Sequence, residues 1–259
     1  MKFSARSSGM SASNAAGGNS RLAHVALVLA ITAATLSVMS GFGHRFGLWS
    51  FTVGFAVLGG AACLAIVASV SGLAALIGAG TGGARRAKIM AIASLAVSLP
   101  VFAVPLHWLY LARSLPPIHD ITTDTRNPPN FVAILPLRRL APDSSVYGGP
   151  RVAALQRRAY PDIRPTVLPV SPAEAFQDAL NAARSLGWHI VAAVPQDGRI
   201  EATDSTFWFG FTDDIVVRVR PVAAGARVDL RSTSRVGLSD LGTNARRIRT
   251  FLKVLRAHS

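Results

Sequence analysis

All thirteen acidic residues of this 259-residue chain lie at or after Asp120, and the 119 residues before them carry eight Lys or Arg and no Asp or Glu. A long stretch without carboxylates, in which short basic clusters separate apolar runs, has the pattern of membrane helices. The 140 residues from Asp120 onward have the mixed charge of a water-soluble domain. The net charge divides at the same point: the +14 of the whole chain is +8 before Asp120 and +6 after it, nineteen bases against thirteen acids. The first share belongs to the flanking charges of membrane helices, so the basic balance gives little reason to expect nucleic acid as a partner. Cys63 is the sole cysteine, which excludes a disulfide or a cysteine metal site within one chain.

Residues 1–20, rich in Ser, Gly, Ala and Asn, read as a disordered cytoplasmic tail. Residues 22–43 carry no formal charge and are long enough at ~1.5 Å per residue to cross a ~30 Å hydrocarbon core. The next uncharged stretch, residues 46–84, is too long for one upright span. It reads as a span over 49–71 followed by a Gly-rich loop, and Ala56 and Gly60 within it read as ordinary small residues. A third span is expected over 89–111, kinked at Pro100 and Pro105. Lys2, Arg6, Arg21, Arg85, Arg86 and Lys88 then stand on one side of the bilayer and Arg45 on the other. The excess of positive charge on cytoplasmic loops places the six inside, with Trp49, Trp108 and Tyr110 at the opposite boundary, so three crossings deliver the rest of the chain outside the cytoplasm. Gly78, Gly80 and Gly83 match a dinucleotide-binding pattern, but no strand precedes them, and loop glycines explain the match.

The expected organisation is a tail over 1–20, a three-helix anchor over 21–113, an extended connector over 114–150 and an extracytoplasmic α+β domain over 151–259. The prolines of the connector exclude a continuous helix and leave room for a short strand near 132–135. A short helix over 151–159 and a strand over 167–170 follow. Ser171, Pro172 and Glu174 form a capping box at the head of a helix over 172–186, with Gly187 beyond its end. Strands are expected over 188–194, 199–211, 215–222 and 226–235. A hairpin turn centred on Ala224 and Gly225 would set Arg220 opposite Asp229 and Asp214 opposite Arg235, with Ile215, Val217, Val219, Val228 and Leu230 on the core face. The last helix is expected from about Ser239, with Leu241, Ala245, Ile248, Leu252 and Leu255 as its buried stripe and Arg246, Arg249, Lys253 and Arg256 on its polar side. The fold class is thus a membrane α-helical anchor plus an α+β domain with a mostly antiparallel sheet and helices chiefly on one face.

The stretches YPDIRP (160–165), GRIEATD (198–204), FWFGF (207–211), DDIVVRVRP (213–221) and SRVGLSDLGTN (234–244) resemble the bacterial family catalogued as domain of unknown function 1499, over residue 120 to the end. The resemblance implies a bacterial envelope protein, placed by the anchor in the inner membrane, and supplies no catalytic residues.

Candidate chemistry is sparse. His189, Asp204 and Ser205 are the best set for a nucleophilic triad, although no nucleophile elbow accompanies them. His119, Asp120 and Asp124 match no tight metal motif and read as linker polars, so neither metal nor cofactor is expected. Arg218, Arg220, Arg227, Arg231 and Arg235 share one sheet face, and guanidinium forks on such a face, with Tyr160 as a further contact, could hold a small anion or anionic lipid headgroups. Against this stands a solvated face whose arginines pair with Asp214, Asp229 and Glu201. The aromatic run 207–211 reads as packing. The expected function is a non-catalytic binding or envelope-structural module, its partners the bilayer, anionic headgroups or an envelope protein. The alternative is a membrane-tethered hydrolase around Asp204, which convergence of Asp204, Tyr160 and Arg218 in one pocket would favour.

Overall fold

The computed structural model describes residues 5–80 and 84–258. The chain forms two compact units, one running to Leu109 and including Trp208–Gly210, the other holding Tyr110–Phe207 and Phe211 onward.

The first unit is helical: α1 (Ala5–Arg45), α2 (Phe51–Ala79) and the start of α3 (Arg85–Ser114). Gly17–Arg45, Phe51–Ala79 and Arg85–Ser114 are each long and apolar enough to cross a membrane. Small side chains spaced three and four apart form the buried seams. On α1 these are Ala23, Ala26, Ala30, Ala33, Ser37 and Ser40; on α2 Ala61, Ala65, Ala68, Gly72, Ala75 and Ala79; on α3 Ala87, Ala91, Ser94 and Ser98. Such residues let helix backbones approach closely, and hydroxyls bind across the gap: Ser69 Oγ lies 2.7 Å from Ser98 Oγ and Ser94 Oγ donates to Ala68 O at 3.3 Å. Ala56 and Gly60 face outward. Within the same unit Phe209 is buried with its ring 5.0 Å from that of Phe55, and Trp208 Nε1 donates to Val38 O at 3.1 Å.

Helix boundaries differ from expectation at two places. α1 begins at Ala5, inside the segment read as a disordered tail, because extending an existing helix adds a hydrogen bond per residue without repeating the cost of nucleation. α2 runs to Ala79 through the segment read as a loop, and ends only where Gly80 takes φ 49. Of the decoy glycines Gly78 is therefore helical, and Gly83 lies outside the described residues. α3 remains one helix through Pro100 and Pro105.

The second unit is the α+β domain. Among the described residues its strands are β1 (Asp120–Thr122), β2 (Thr166–Leu168), β3 (His189–Val194), β4 (Arg199–Ser205), β5 (Thr212–Val222) and β6 (Gly225–Ser234). All pairings are antiparallel, in the order β1-β6-β5-β4-β3, with β2 also on β6. Helices α5 (Pro172–Ser185) and α6 (Thr243–His258) cover one face. Their Phe176, Ala179, Ala183, Ile248, Phe251 and Leu255 meet Ile200, Ile215, Val217, Val228 and Leu230 in one core. The capping box forms as expected: Ser171 Oγ accepts from Glu174 N at 3.2 Å, and Glu174 Oε2 accepts from Ser171 N at 2.9 Å. Helix α4 (Gly149–Ala159) sends the buried Gln156 to β1, where its amide bonds both the N–H and the C=O of Thr122 at 3.0 and 2.6 Å.

The hairpin register is offset by two from expectation. Arg218 pairs with Asp229, Arg220 with Arg227 and Val222 with Gly225, so the turn is Ala223-Ala224. A shift of two preserves the side of every residue, and the five expected apolar residues do lie in the core. Gly225 cannot sit in the turn because it starts β6 under β2: a Cβ there would lie 2.2 Å from Leu168 O.

The connector carries no strand at 132–135. Instead the buried Glu201 carboxylate accepts from the amides of Val132, Ala133 and Ile134 at 2.9–3.1 Å, which removes those donors from any ladder; a 3-10 turn follows at Leu135–Arg138. β4 stops at Ser205, where Thr206 and Phe211 close a loop through Thr206 N to Phe211 O and Phe211 N to Thr206 Oγ1, both 2.9 Å. α6 starts at Thr243 rather than near Ser239, because Leu241 (φ 50) and Gly242 (φ 77) turn left-handed first.

Candidate functional site

Strand alternation sorts the polar residues of the domain onto two faces. On the face covered by the connector lie Glu201 of β4, Asp214 and Arg218 of β5, and Asp229 and Arg231 of β6. On the helix face lie Asp204, Asp213, Ser232 and Ser234, in phase with the core residues between them.

The connector face is neutralised pair by pair. Arg231, 1% exposed, donates to both oxygens of Asp120 at 2.9 and 2.8 Å and to Pro129 O and Ser145 O at 3.2 and 2.8 Å. Its guanidinium lies 5.0 Å from the Phe131 ring and 5.5 Å from the Tyr147 ring. This bidentate, enclosed pairing ties the first carboxylate of the chain to the last long strand. Asp214, fully buried, accepts from Arg138 at 2.6 Å and from Arg235 at 2.8 Å. Arg231 and Arg235, both candidate ligand contacts, therefore hold the fold together.

At the hairpin end the account does not balance. Arg218, Arg220 and Arg227 share two carboxylates, Asp124 and Asp229. Asp229 accepts from Arg218 at 2.9 Å, Arg220 at 3.1 Å and Arg227 at 2.9 Å; Asp124 accepts from Arg227 at 2.7 Å. The Arg220 side chain is 40% exposed and that of Arg227 30%, whereas Asp229 is fully buried. Three cations against two anions leave one guanidinium charge unmatched within this cluster, beside Arg199 of β4, which binds both Asp197 and Glu201; Arg220 reaches the cluster through only one of its nitrogens.

The helix face carries a denser network. Arg247, 8% exposed, donates to Asp204 Oδ2 through Nε at 2.9 Å, to Asn244 Oδ1 at 2.6 Å and to Ser232 Oγ at 3.2 Å, and its Nη2 forms ion pairs with Asp204 Oδ2 at 2.8 Å and Asp213 Oδ2 at 2.7 Å. Asn244 Nδ2 passes the chain on to Ser234 Oγ and His119 O at 3.0 and 2.9 Å. Asp240 accepts from the amides of Gly242 and Asn244 at 2.9 and 2.6 Å; burial raises its carboxyl above the usual Asp value even though those amides pull it down. Beside this network a depression of ≈ 340 Å³ is lined by Asp204, Arg246, Arg247 and Thr250, with Leu186 and Trp188 as its apolar part.

The domain-spanning family model, described as Protein of unknown function (DUF1499), matches residues 120–255. The chain belongs to the DUF1499 family. No curated protein and no solved structure matches the chain. The DUF1499 stretch opens at Asp120, the first carboxylate, and ends at Leu255, a buried residue of α6.

Within the DUF1499 domain the expected triad residues are separated. His189 pairs with Thr203 across β3 and β4, so it shares a face with Ser205, while Asp204 points to the other. Ser205 Oγ lies 3.1 Å from Thr212 Oγ1, and Asp204 binds Arg247. Tyr160 is buried on the helix side with Arg249 5.4 Å over its ring, and burial raises its phenol above the ordinary value. Arg249 in turn holds Asp162 at 2.6 Å and keeps that carboxyl below the usual range. Asp204, Tyr160 and Arg218 do not line one pocket, since Arg218 belongs to the connector face. Asp120 and Asp124 are engaged by guanidiniums, and His119 Nε2 lies 3.8 Å from Asp143. Among the described residues no cluster of three His, Cys, Asp or Glu could hold a metal ion. Arg247 escaped the sequence reading, yet a signal exists: Asn244, Arg247, Ile248 and Phe251 fall in one helical phase, which sets a charge on the buried stripe.

Proposed function

We propose that this chain is a bacterial inner-membrane protein whose DUF1499 domain is a non-catalytic module that binds a small phosphate-bearing anion at Arg218, Arg220 and Arg227. The three-to-two ratio of guanidiniums to carboxylates carries the reading: an added anion completes the neutralisation, and forked N–H donors match its oxygens. The separation of Asp204, Tyr160 and Arg218 argues for a binding role over hydrolysis. In this reading the three helices cross the bilayer with the N-terminus in the cytoplasm and the domain on the far side, as the six-to-one loop charges direct.

The test uses the full chain in nanodiscs of zwitterionic lipid, titrated with inorganic phosphate by calorimetry, and in parallel nanodiscs containing phosphatidylglycerol. Free phosphate binding, lost about tenfold in Arg220→Ala, identifies a soluble anion. If phosphate gives no heat, but the anionic lipid stabilises the wild type and not Arg220→Ala, the source is the headgroup. The absence of both responses would overturn the assignment.

A further inference from the structure

The depression beside Arg247 lies on the opposite face of the sheet from the hairpin arginines, and its chemistry is different. Arg247 uses its guanidinium on Asp204, Asp213, Asn244 and Ser232, so it offers the depression orientation rather than charge. Both of its contacts to Asp204 end on Oδ2. Oδ1 of that carboxylate has no partner among the described residues, and the Asp204 side chain is 35% exposed. A buried, multiply bonded guanidinium thus fixes one carboxylate in place and leaves its second oxygen to the depression. The hydroxyl of Thr250, on the exposed side of α6, likewise bonds no described residue. Arg246 reaches back to Leu241 O at 3.4 Å and Thr243 Oγ1 at 3.1 Å through its two terminal nitrogens.

Charge and shape narrow the occupant. Asp204 and Asp213 balance Arg246 and Arg247, so the depression has no net charge to attract an anion or a cation. A ligand must nevertheless give a hydrogen to Asp204 Oδ1, exchange one with the Thr250 hydroxyl, accept from guanidinium N–H, and lay apolar surface on Leu186 and Trp188. Hydroxyl groups both donate and accept, and a ring of C–H bonds bearing several of them supplies the apolar face as well. At ≈ 340 Å³ the space falls at the small end of ligand sites, which run from roughly 300 Å³ upward.

We propose that this depression is a binding site for a small neutral saccharide, with Asp204 Oδ1 accepting from a sugar hydroxyl, Thr250 and Arg246 completing the polar contacts, and Leu186 with Trp188 forming the apolar wall. Asp204 acts as a binding residue here and Arg247 as its positioning residue. The site is independent of the phosphate assignment and stands or falls without it.

The experiment uses the full chain in nanodiscs prepared without glycoside detergent, with saturation-transfer NMR and calorimetry against glucose, N-acetylglucosamine and cellobiose. At least one sugar should bind saturably. Asp204→Asn should weaken it about tenfold, the loss of a hydrogen bond to a charged acceptor, and Thr250→Val about threefold, while Arg220→Ala leaves it unchanged. Thr250 is exposed, so its variant keeps the test decisive even if Asp204→Asn disturbs Arg247 and the fold. No saturable sugar signal would overturn the proposal. So would sugar binding that both variants leave intact, or saturable binding of ethanolamine in place of every sugar, since the last would make the site a cation site.

Discussion

Tyr147 shows at the residue scale what the packed connector does to a titratable group. Its hydroxyl is buried without a hydrogen-bond partner among the described residues, beside Asp120 and Arg231. Burial first, and the Asp120 charge second, push its pKa up to about 12, with Arg231 and Arg157 opposing. The unfolded phenol titrates near 10. Between those values the folded chain keeps a proton that the unfolded chain releases, so the stabilisation is complete below about pH 10 and is lost as pH rises towards 12. Tyr147→Phe should abolish this alkaline loss and be neutral to about 1 kcal/mol stabilising at pH 7, because it removes an unsatisfied hydroxyl. Urea unfolding of both proteins at about pH 7.5 and pH 10.5 measures it; identical alkaline losses would show that Tyr147 does not hold its proton. At this scale the sequence spoke clearly where a residue's role is local, as with Ser171 and Glu174. It was silent on Arg231 and Asp120, whose pairing depends on a contact 111 positions apart in the chain. Arg235 and Asp214 were paired from sequence and do pair, because the hairpin brings them together over a short loop.

At the scale of elements, alternation and helical phase were legible and turn placement was not. The core face of β5 and β6 follows from period two alone, whichever register the turn selects. The turn itself is Ala223-Ala224, two residues without turn chemistry, because the neighbouring glycine is required elsewhere. Gly225 takes φ 117 and faces Leu168 O of β2, whereas Gly187 takes φ 76 at the end of α5 with nothing near its Cβ position. Gly187→Ala should therefore cost only the left-handed conformation, about 1 kcal/mol. Gly225→Ala adds an overlap with backbone and should cost at least about 2 kcal/mol more. Thermal unfolding of the two variants ranks them, and equal losses would mean that β2 yields easily. The absent strand at 132–135 has the same origin: apolar β-branched residues favoured extension, but a carboxylate on a distant strand captured their amides.

The whole molecule depends on where charge is allowed. The helices hold the carboxylate-free part, and the acids begin where the DUF1499 fold begins. Neutralising Arg85, Arg86 and Lys88 while adding three lysines next to Arg45 changes the loop count from six against one to three against four. By the positive-inside rule a reporter fused after Ser259, active only outside the cytoplasm, should shine in the wild type and fall several-fold in that variant. A wild-type fusion that is expressed and silent would reverse the topology. The three spans were legible because hydropathy needs no partner, whereas the end of α2 lies at Ala79 rather than at 71 because small residues such as Gly72 and Ala75 serve the seam as well as they would serve a loop.

One feature of the sheet bears on how copies of this protein can meet. β6 has β1 along one part of its outer side and β2 along another, so that side has no free length for a further strand. The opposite margin is β3, six residues with a register irregularity between Ile190 and Ala192. A sheet with two bare margins can recruit copies without limit, as a fibre does. Here the outermost strands are the three-residue β1 and β2 at one margin and the six-residue β3 at the other, so among the described residues only β3 offers a copy of the chain more than a few residues to pair along.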